Sequence, residues 1–279
     1  MTSLAEPRTI RPEAVRTGSP RRRRLGRPRL FPFAGLIGVA VVLGVWSIAS
    51  AAGALDPRKL SAPWTVVRTG IDLIGDGTLQ ANLGPSLYRV AIGFAAGVLI
   101  GTALAVFAGL TRFGEALVDG PIQVKRAVPL LGLAPLMILW LGIGEQFKIV
   151  LIALGVVTYM YVQTHAALTS IDHRYVELAE VLGLSRPAFV RKVVIPGALP
   201  GFFLGLRLSA TIAWLTLVVV EEVNATDGLG KMIFKAQDYG QSDVILVGLA
   251  VFGIFGFASD AILRVLERKV LSWRRTLAS

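Results

Sequence analysis

No cysteine occurs in the 279 residues, which excludes disulfides, thiolate-bound metals and cysteine nucleophiles. Charge is also scarce, at 17% of residues against about a quarter in ordinary soluble domains. Acidic residues are the rarer sign, 18 against 29 basic, and only two histidines are present. His165 and His173 are assigned no metal, and the absence of an H-E-x-x-H motif removes the ligands of zinc proteolysis. Glu221-Glu222 is followed at the fourth position by Thr226, so the E-E-x-x-x-R pattern of glutamate-type membrane proteases is missing. Gly230-Lys231-Met232 lacks the hydroxyl residue of a phosphate-binding loop, and no glycine lies five residues before Gly230. Any nucleotide chemistry therefore belongs to a partner, and this chain is expected to bind no cofactor of its own.

What is abundant is apolar surface: 54% of residues are hydrophobic and the mean hydropathy is +0.65. At about 20 residues per membrane span, the length accommodates about six helices with modest loops and no separate soluble domain. Six stretches qualify: Phe31 to Ala54, Ser86 to Leu110, Val128 to Ile143, Phe147 to Leu168, Gly201 to Val220 and Val244 to Leu266. Only Gly144-Glu145-Gln146 separates the third from the fourth, which predicts a tight helical hairpin. The fold class that follows is an all-α membrane protein.

The formal charge of +11 does not indicate nucleic acid, because the basic residues punctuate apolar runs instead of forming one basic surface. Nine arginines precede the first apolar stretch, so residues 1–30 read as a disordered basic cytoplasmic tail. The following run is longer than a signal-peptide core and reads as an uncleaved span. With the N-terminus inside, the inner segments hold 21 Lys and Arg and the outer ones six. That bias places both termini in the cytoplasm. The predicted organisation is a tail (1–30), a first span with an outer connector (31–85), a core (86–271) and a short cytoplasmic tail (272–279).

Two stripes of small residues stand out: Gly93, Gly97, Gly101, Ala105 and Gly109 in the second span, and Gly201, Gly205, Ser209 and Ala213 in the fifth. Such stripes let helix backbones approach closely in a bilayer. Between the fourth and fifth spans, DHRYVELAEVLGLSRPAFVRKVVIPGALP is too polar to cross. Asp172 suits an N-cap, and Val176, Ala179 and Leu182 line one face of a short helix that stops at Gly183. Pro187 opens a second helix, expected to end before Pro196.

This loop resembles the cytoplasmic loop of ATP-binding-cassette (ABC) importer permeases, whose pattern is E-A-A, three residues, G, nine residues, I-x-L-P. Glu177, Ala179, Gly183, Val193, Ile195 and Pro196 fall at matching positions, while Leu178 replaces the first alanine and Val193 and Ile195 replace isoleucine and leucine. The wider resemblance runs from Ser86 to Leu271. It includes SLYRVAIGF, PLMILWLGIGEQFKIVLIALG, PGALPGFFLGLRLSATIAWLTLVVVEE and Gly228-Leu229-Gly230, and is closest to importers of aliphatic sulfonates, taurine and nitrate.

The resemblance implies a type I ABC-importer permease fold with cytoplasmic coupling helices. It also implies a dimer of two such chains, two ATPase subunits carrying ATP and Mg, an extracytoplasmic solute-binding protein, and no nucleic acid. Within it, AWLTLVVVE is most like alkanesulfonate permeases, so the implied cargo is an aliphatic sulfonate, with taurine, nitrate or another small solute as alternatives. An ion-gradient-driven transporter is the alternative from another class, and dissipating the proton gradient discriminates it. Arg207, Trp214 and Thr216 in the fifth span are candidates for the translocation path. For Arg207, pairing with another helix or snorkelling competes with attraction of an anion. Glu221 and Glu222 are read as structural or docking residues, and Asp260 as the intrahelical partner of Arg264.

Overall fold

A computed structural model describes residues 34–223 and 225–273, so the predicted basic tail (1–30), residues 31–33 of the first apolar stretch and residues 274–279 lie outside the described residues. The chain divides into two units at Leu43. The first contributes residues 34–43 of helix α1 (Ala34–Ala51). The second, from Gly44 on, contains every feature discussed below.

After α1 come α2 (Pro63–Gly75), α3 (Thr78–Leu110), α4 (Arg112–Ala127), a 3₁₀ turn (Leu130–Leu133), α5 (Ala134–Leu141) and α6 (Glu145–Thr169). Then follow α7 (His173–Val181), α8 (Arg186–Phe189), a π-helical turn (Val190–Val194), α9 (Ile195–Glu222), α10 (Leu229–Asp238) and α11 (Ser242–Val270). Among the described residues no strand occurs.

Four helical runs are long and apolar enough to cross a membrane: α3, α6, α8 through α9, and α11. They contain the predicted second, fourth, fifth and sixth spans. The predicted third span holds only the short helical run Leu130–Leu141, which reaches spanning length only together with α4. Val128 precedes Pro129, which biases it to the extended backbone it adopts (φ −81°, ψ 124°), and α4 ends there. The chain restarts as the 3₁₀ turn and α5, bent 98° from α4. Gly142, at φ +77°, then turns the chain toward α6, and α5 packs on α6.

The most buried of the four long runs is α6, which is gripped on two sides. On one side lies the α3 stripe. A Cβ added at Gly93 would stand 2.7 Å from Ile152, at Gly97 2.5 Å from Val156, and at Gly101 2.7 Å from Met160. On the other side lies the α9 stripe, where Gly205 faces Gln163 and Met160, and the Ser209 hydroxyl reaches the Val156 carbonyl at 3.4 Å. Small residues every fourth position thus put both neighbours against α6 at backbone distance. Leu151, Ile152, Val156 and Met160 of α6 fill the core with Leu206, Ala213, Leu217 and Val220 of α9. In α11, by contrast, Ile254, Phe257 and Ile262 stay exposed, as an apolar face toward lipid requires.

Candidate functional site

At the Thr169 end of α6 the polar loop folds into a helical hairpin. The Asp172 carboxylate accepts from the Arg174 amide at 3.0 Å and caps α7. The Leu184 amide donates to the Ala179 carbonyl at 2.9 Å across Gly183, which sits at φ +63°. This left-handed closure is why glycine stands there. Ala179 is buried and Val176 half-buried, whereas Leu182 is exposed, so the inward face of α7 is shorter than the periodicity predicts. The outward face carries Tyr175, Leu178, Val181 and Leu182, all more than half exposed, beside Glu177. A compact apolar knob flanked by charge results.

The second helix of the hairpin does not end before Pro196. It passes from α8 through the π turn into α9, giving one run from Arg186 to Glu222 of 37 residues. Pro196 lies in the first turn of α9, where the wider π turn accommodates its missing N–H. Val194 and Ala198 pack on Leu168, fixing the hairpin to the end of α6. Val193 is half-buried and Ile195 exposed.

The three candidates in α9 separate by face. The Arg207 guanidinium donates to Asp260 at 2.8 Å, and Asp260 also holds Arg264 at 2.8 Å. Both expected pairings, between helices and within α11, therefore form. The Trp214 indole donates to the Ser259 hydroxyl at 3.1 Å and packs on Phe252 and Phe255. Arg207 and Trp214 thus lock α9 to α11. Thr216 turns the other way and lines a cavity bounded by the α4–α5 bend, α6 and α9.

The residue that sequence reasoning passed over is Arg89. It is 1% exposed and meets three carboxylates: Glu145 at 2.6 Å, Glu221 at 2.7 Å and Asp227 at 2.6 Å. Lys148 adds a second cation on Glu145 at 2.9 Å. Glu221 is fully buried and accepts further bonds from the Ser86 hydroxyl (2.7 Å) and the Gly230 amide (2.8 Å). The network ties α3, α6, α9 and the turn before α10 at the end opposite the hairpin. It also accounts for Gly228-Leu229-Gly230: a Cβ at Gly228 would stand 2.5 Å from the Glu221 carboxyl, and the Leu229 amide donates to Ser86 at 2.8 Å. Glu221 is structural, as expected, whereas Glu222 is exposed.

Residues 97–272, which hold the hairpin, α6 and α9, match the family described as binding-protein-dependent transport system inner membrane component. The chain belongs to that family. Of such components, the proteins named aliphatic sulfonates transport permease SsuC are 37% identical in Bacillus subtilis (strain 168), over 91% of this chain and 92% of that one, and 40% identical in Escherichia coli (strain K12), over 83% and 88%. The taurine transport system permease protein TauC of Escherichia coli (strain K12) is 35% identical over 84% and 87%. A crystal structure of an amino acid ABC transporter with histidines aligns over 71% of this chain and 97% of its own, with a TM-score of 0.59 at 19% identity, a likeness of fold. As an inner membrane component of an ABC transporter, the chain is an all-α permease.

Proposed function

We propose that this permease works as a pair of identical chains, with two ATPase subunits docked on the hairpins and a solute-binding protein on the opposite side, and that its cargo is an aliphatic sulfonate. The observation that carries the coupling role is the hairpin itself. Glu177, Ala179, Gly183, Val193, Ile195 and Pro196 shape an exposed apolar knob joined by the Gly183 turn to a membrane-crossing helix, which is what an external motor needs to grip. ATP and Mg belong to the ATPase subunits, both termini lie in the cytoplasm, and residues 86–271 act as the core behind the connector (31–85) and between the tails (1–30, 272–279). Thr216 lies on the translocation path, and Arg207 and Trp214 set α9 against α11 beside it. The cargo assignment is supported by the sulfonate permeases among the relatives.

Uptake of labelled alkanesulfonate, taurine and nitrate in cells with and without this chain tests the function directly. Selective loss of alkanesulfonate uptake is expected. Loss of taurine uptake alone moves the cargo to the second relative's substrate, and uptake that survives ATP depletion but not proton-gradient dissipation overturns the importer.

The hairpin is tested by Gly183→Asp. Nothing lies within 4 Å of an added Cβ at Gly183, so the chain has room for the side chain. The left-handed backbone costs about 1–2 kcal/mol, and aspartate is among the residues that tolerate it. The protein should insert at normal abundance, with a charge placed on the docking face. Uptake should then fall more than about tenfold, because burying an unpaired charge in that contact costs well over 1.4 kcal/mol. Normal stimulation of ATP hydrolysis by loaded binding protein in this variant would sink the docking assignment.

A further inference from the structure

The cavity beside Thr216 has a volume of about 410 Å³, within the span of small-ligand sites (about 300–1,000 Å³). Its walls are mostly apolar, with Lys125, Arg126, Thr158, Tyr159 and Thr216 as polar members. Lys125 is the informative one. The bend at Val128 and Pro129 brings the last turn of α4 against the middle of the 25-residue α6. There the Lys125 ammonium donates to the Leu154 carbonyl at 2.7 Å and to the Thr158 hydroxyl at 2.5 Å. Both partners are neutral.

Four other cations held among the long helices, Arg89, Lys148, Arg207 and Arg264, each have a carboxylate within 3 Å. Among the described residues no carboxylate lies within 4 Å of Lys125 or Arg126. The carbonyl end of α4 offsets at most about half an elementary charge, and an ammonium has a third N–H beyond the two bonds it makes. A cation at the depth of the bundle without a counter-ion is costly and marks an ion or substrate route. Lys125 thus offers an unmatched N–H to the cavity.

We propose that this cavity is a transit site for the cargo, in which Lys125 pairs with the sulfonate head group, Thr216 and Tyr159 offer hydroxyls, and Leu130 and Leu131 take the alkyl chain. A sulfonate carries one negative charge on three acceptor oxygens, which suits a single ammonium with hydroxyls around it. The inference rests on the sulfonate-importer reading and deepens it by assigning the intramembrane contact.

The test uses the purified permease–ATPase complex without binding protein and measures saturable binding of labelled ethanesulfonate, alongside ATP-driven uptake by the full system in proteoliposomes. Lys125→Met should weaken binding at least about tenfold, the scale of a charge-assisted hydrogen bond, and Lys125→Arg should stay within about threefold of wild type. Leu131→Trp offers an independent check: Leu131 is 52% exposed, so a larger ring there fills the cavity without entering the core. It should also abolish binding, and it decides the matter if Lys125→Met does not assemble. A wild-type complex that imports ethanesulfonate while binding is absent, or is unchanged in both Lys125→Met and Leu131→Trp, overturns the site and leaves the importer standing. Failure of the wild-type system to import ethanesulfonate removes the reading on which the site rests, and the site with it.

Discussion

Arg89→Met should cost about 3–5 kcal/mol, enough to deplete folded permease from the membrane, because it strands Glu221 as a buried charge without its counter-ion. The remaining donors to Glu221, the Ser86 hydroxyl and the Gly230 amide, are dipoles and do not replace a guanidinium. Glu145 and Asp227 suffer less, since each is 48% exposed and Glu145 keeps Lys148. The loss should therefore be graded by burial. Asp227→Asn should cost about 1 kcal/mol or less, in the range of solvent-reachable pairs, because Asp227 is 48% exposed and Arg89 keeps Glu145 and Glu221. Adding Glu221→Gln to Arg89→Met should recover part of the loss by removing the stranded charge. Thermal unfolding of the purified protein in detergent, read with membrane abundance, checks all three. Equal loss from Arg89→Met and Asp227→Asn would mean that the network is not organised around the buried pair.

Gly97→Leu should be comparably damaging for a steric reason. The first added carbon would stand 2.5 Å from Val156 Cβ and 2.8 Å from the Ala153 carbonyl oxygen. Neither is the far end of a flexible chain, so α3 and α6 must separate. Overpacking of a dense core costs about 1–3 kcal/mol, and here the effect should lie at the upper end or above it because the spacing of two whole helices changes. Gly120 provides the control: nothing lies within 4 Å of an added Cβ, and Gly120→Ala should leave the melting temperature unchanged or slightly raised. A Gly97→Leu protein as stable as wild type would contradict the close α3–α6 contact.

Both small-residue stripes were legible in the sequence because close packing in lipid demands one residue type at one period. The hairpin was equally readable, since Asp172, Gly183 and Pro187 each answer a local backbone need. Less readable features depend on distant partners. Arg89 and Glu221 are 132 positions apart, and neither flank hints at the other. Trp214 finds its acceptor in Ser259, 45 positions away on another helix. Lys125 lies between apolar runs, where basic residues usually mark loops, but the break at Pro129 carries it against the middle of α6. Pro196 suggested a stop; the π turn before it absorbs the lost bond, and the helix goes on.

That continuity has a mechanical consequence. A rod of 37 residues is about 55 Å long at 1.5 Å per residue, and, joined to the knob through the short Gly183 turn, it acts as a lever. Its bearing is the smooth face of Gly201, Gly205 and Ser209 against α6, where side chains offer little to catch. A sideways push on the knob in the proposed cycle is therefore delivered beyond the pivot, to the far tip where Glu221 is latched to Arg89. The stiffness of that latch sets how much of each stroke becomes tilt of the arm and how much is absorbed as bending at the π turn.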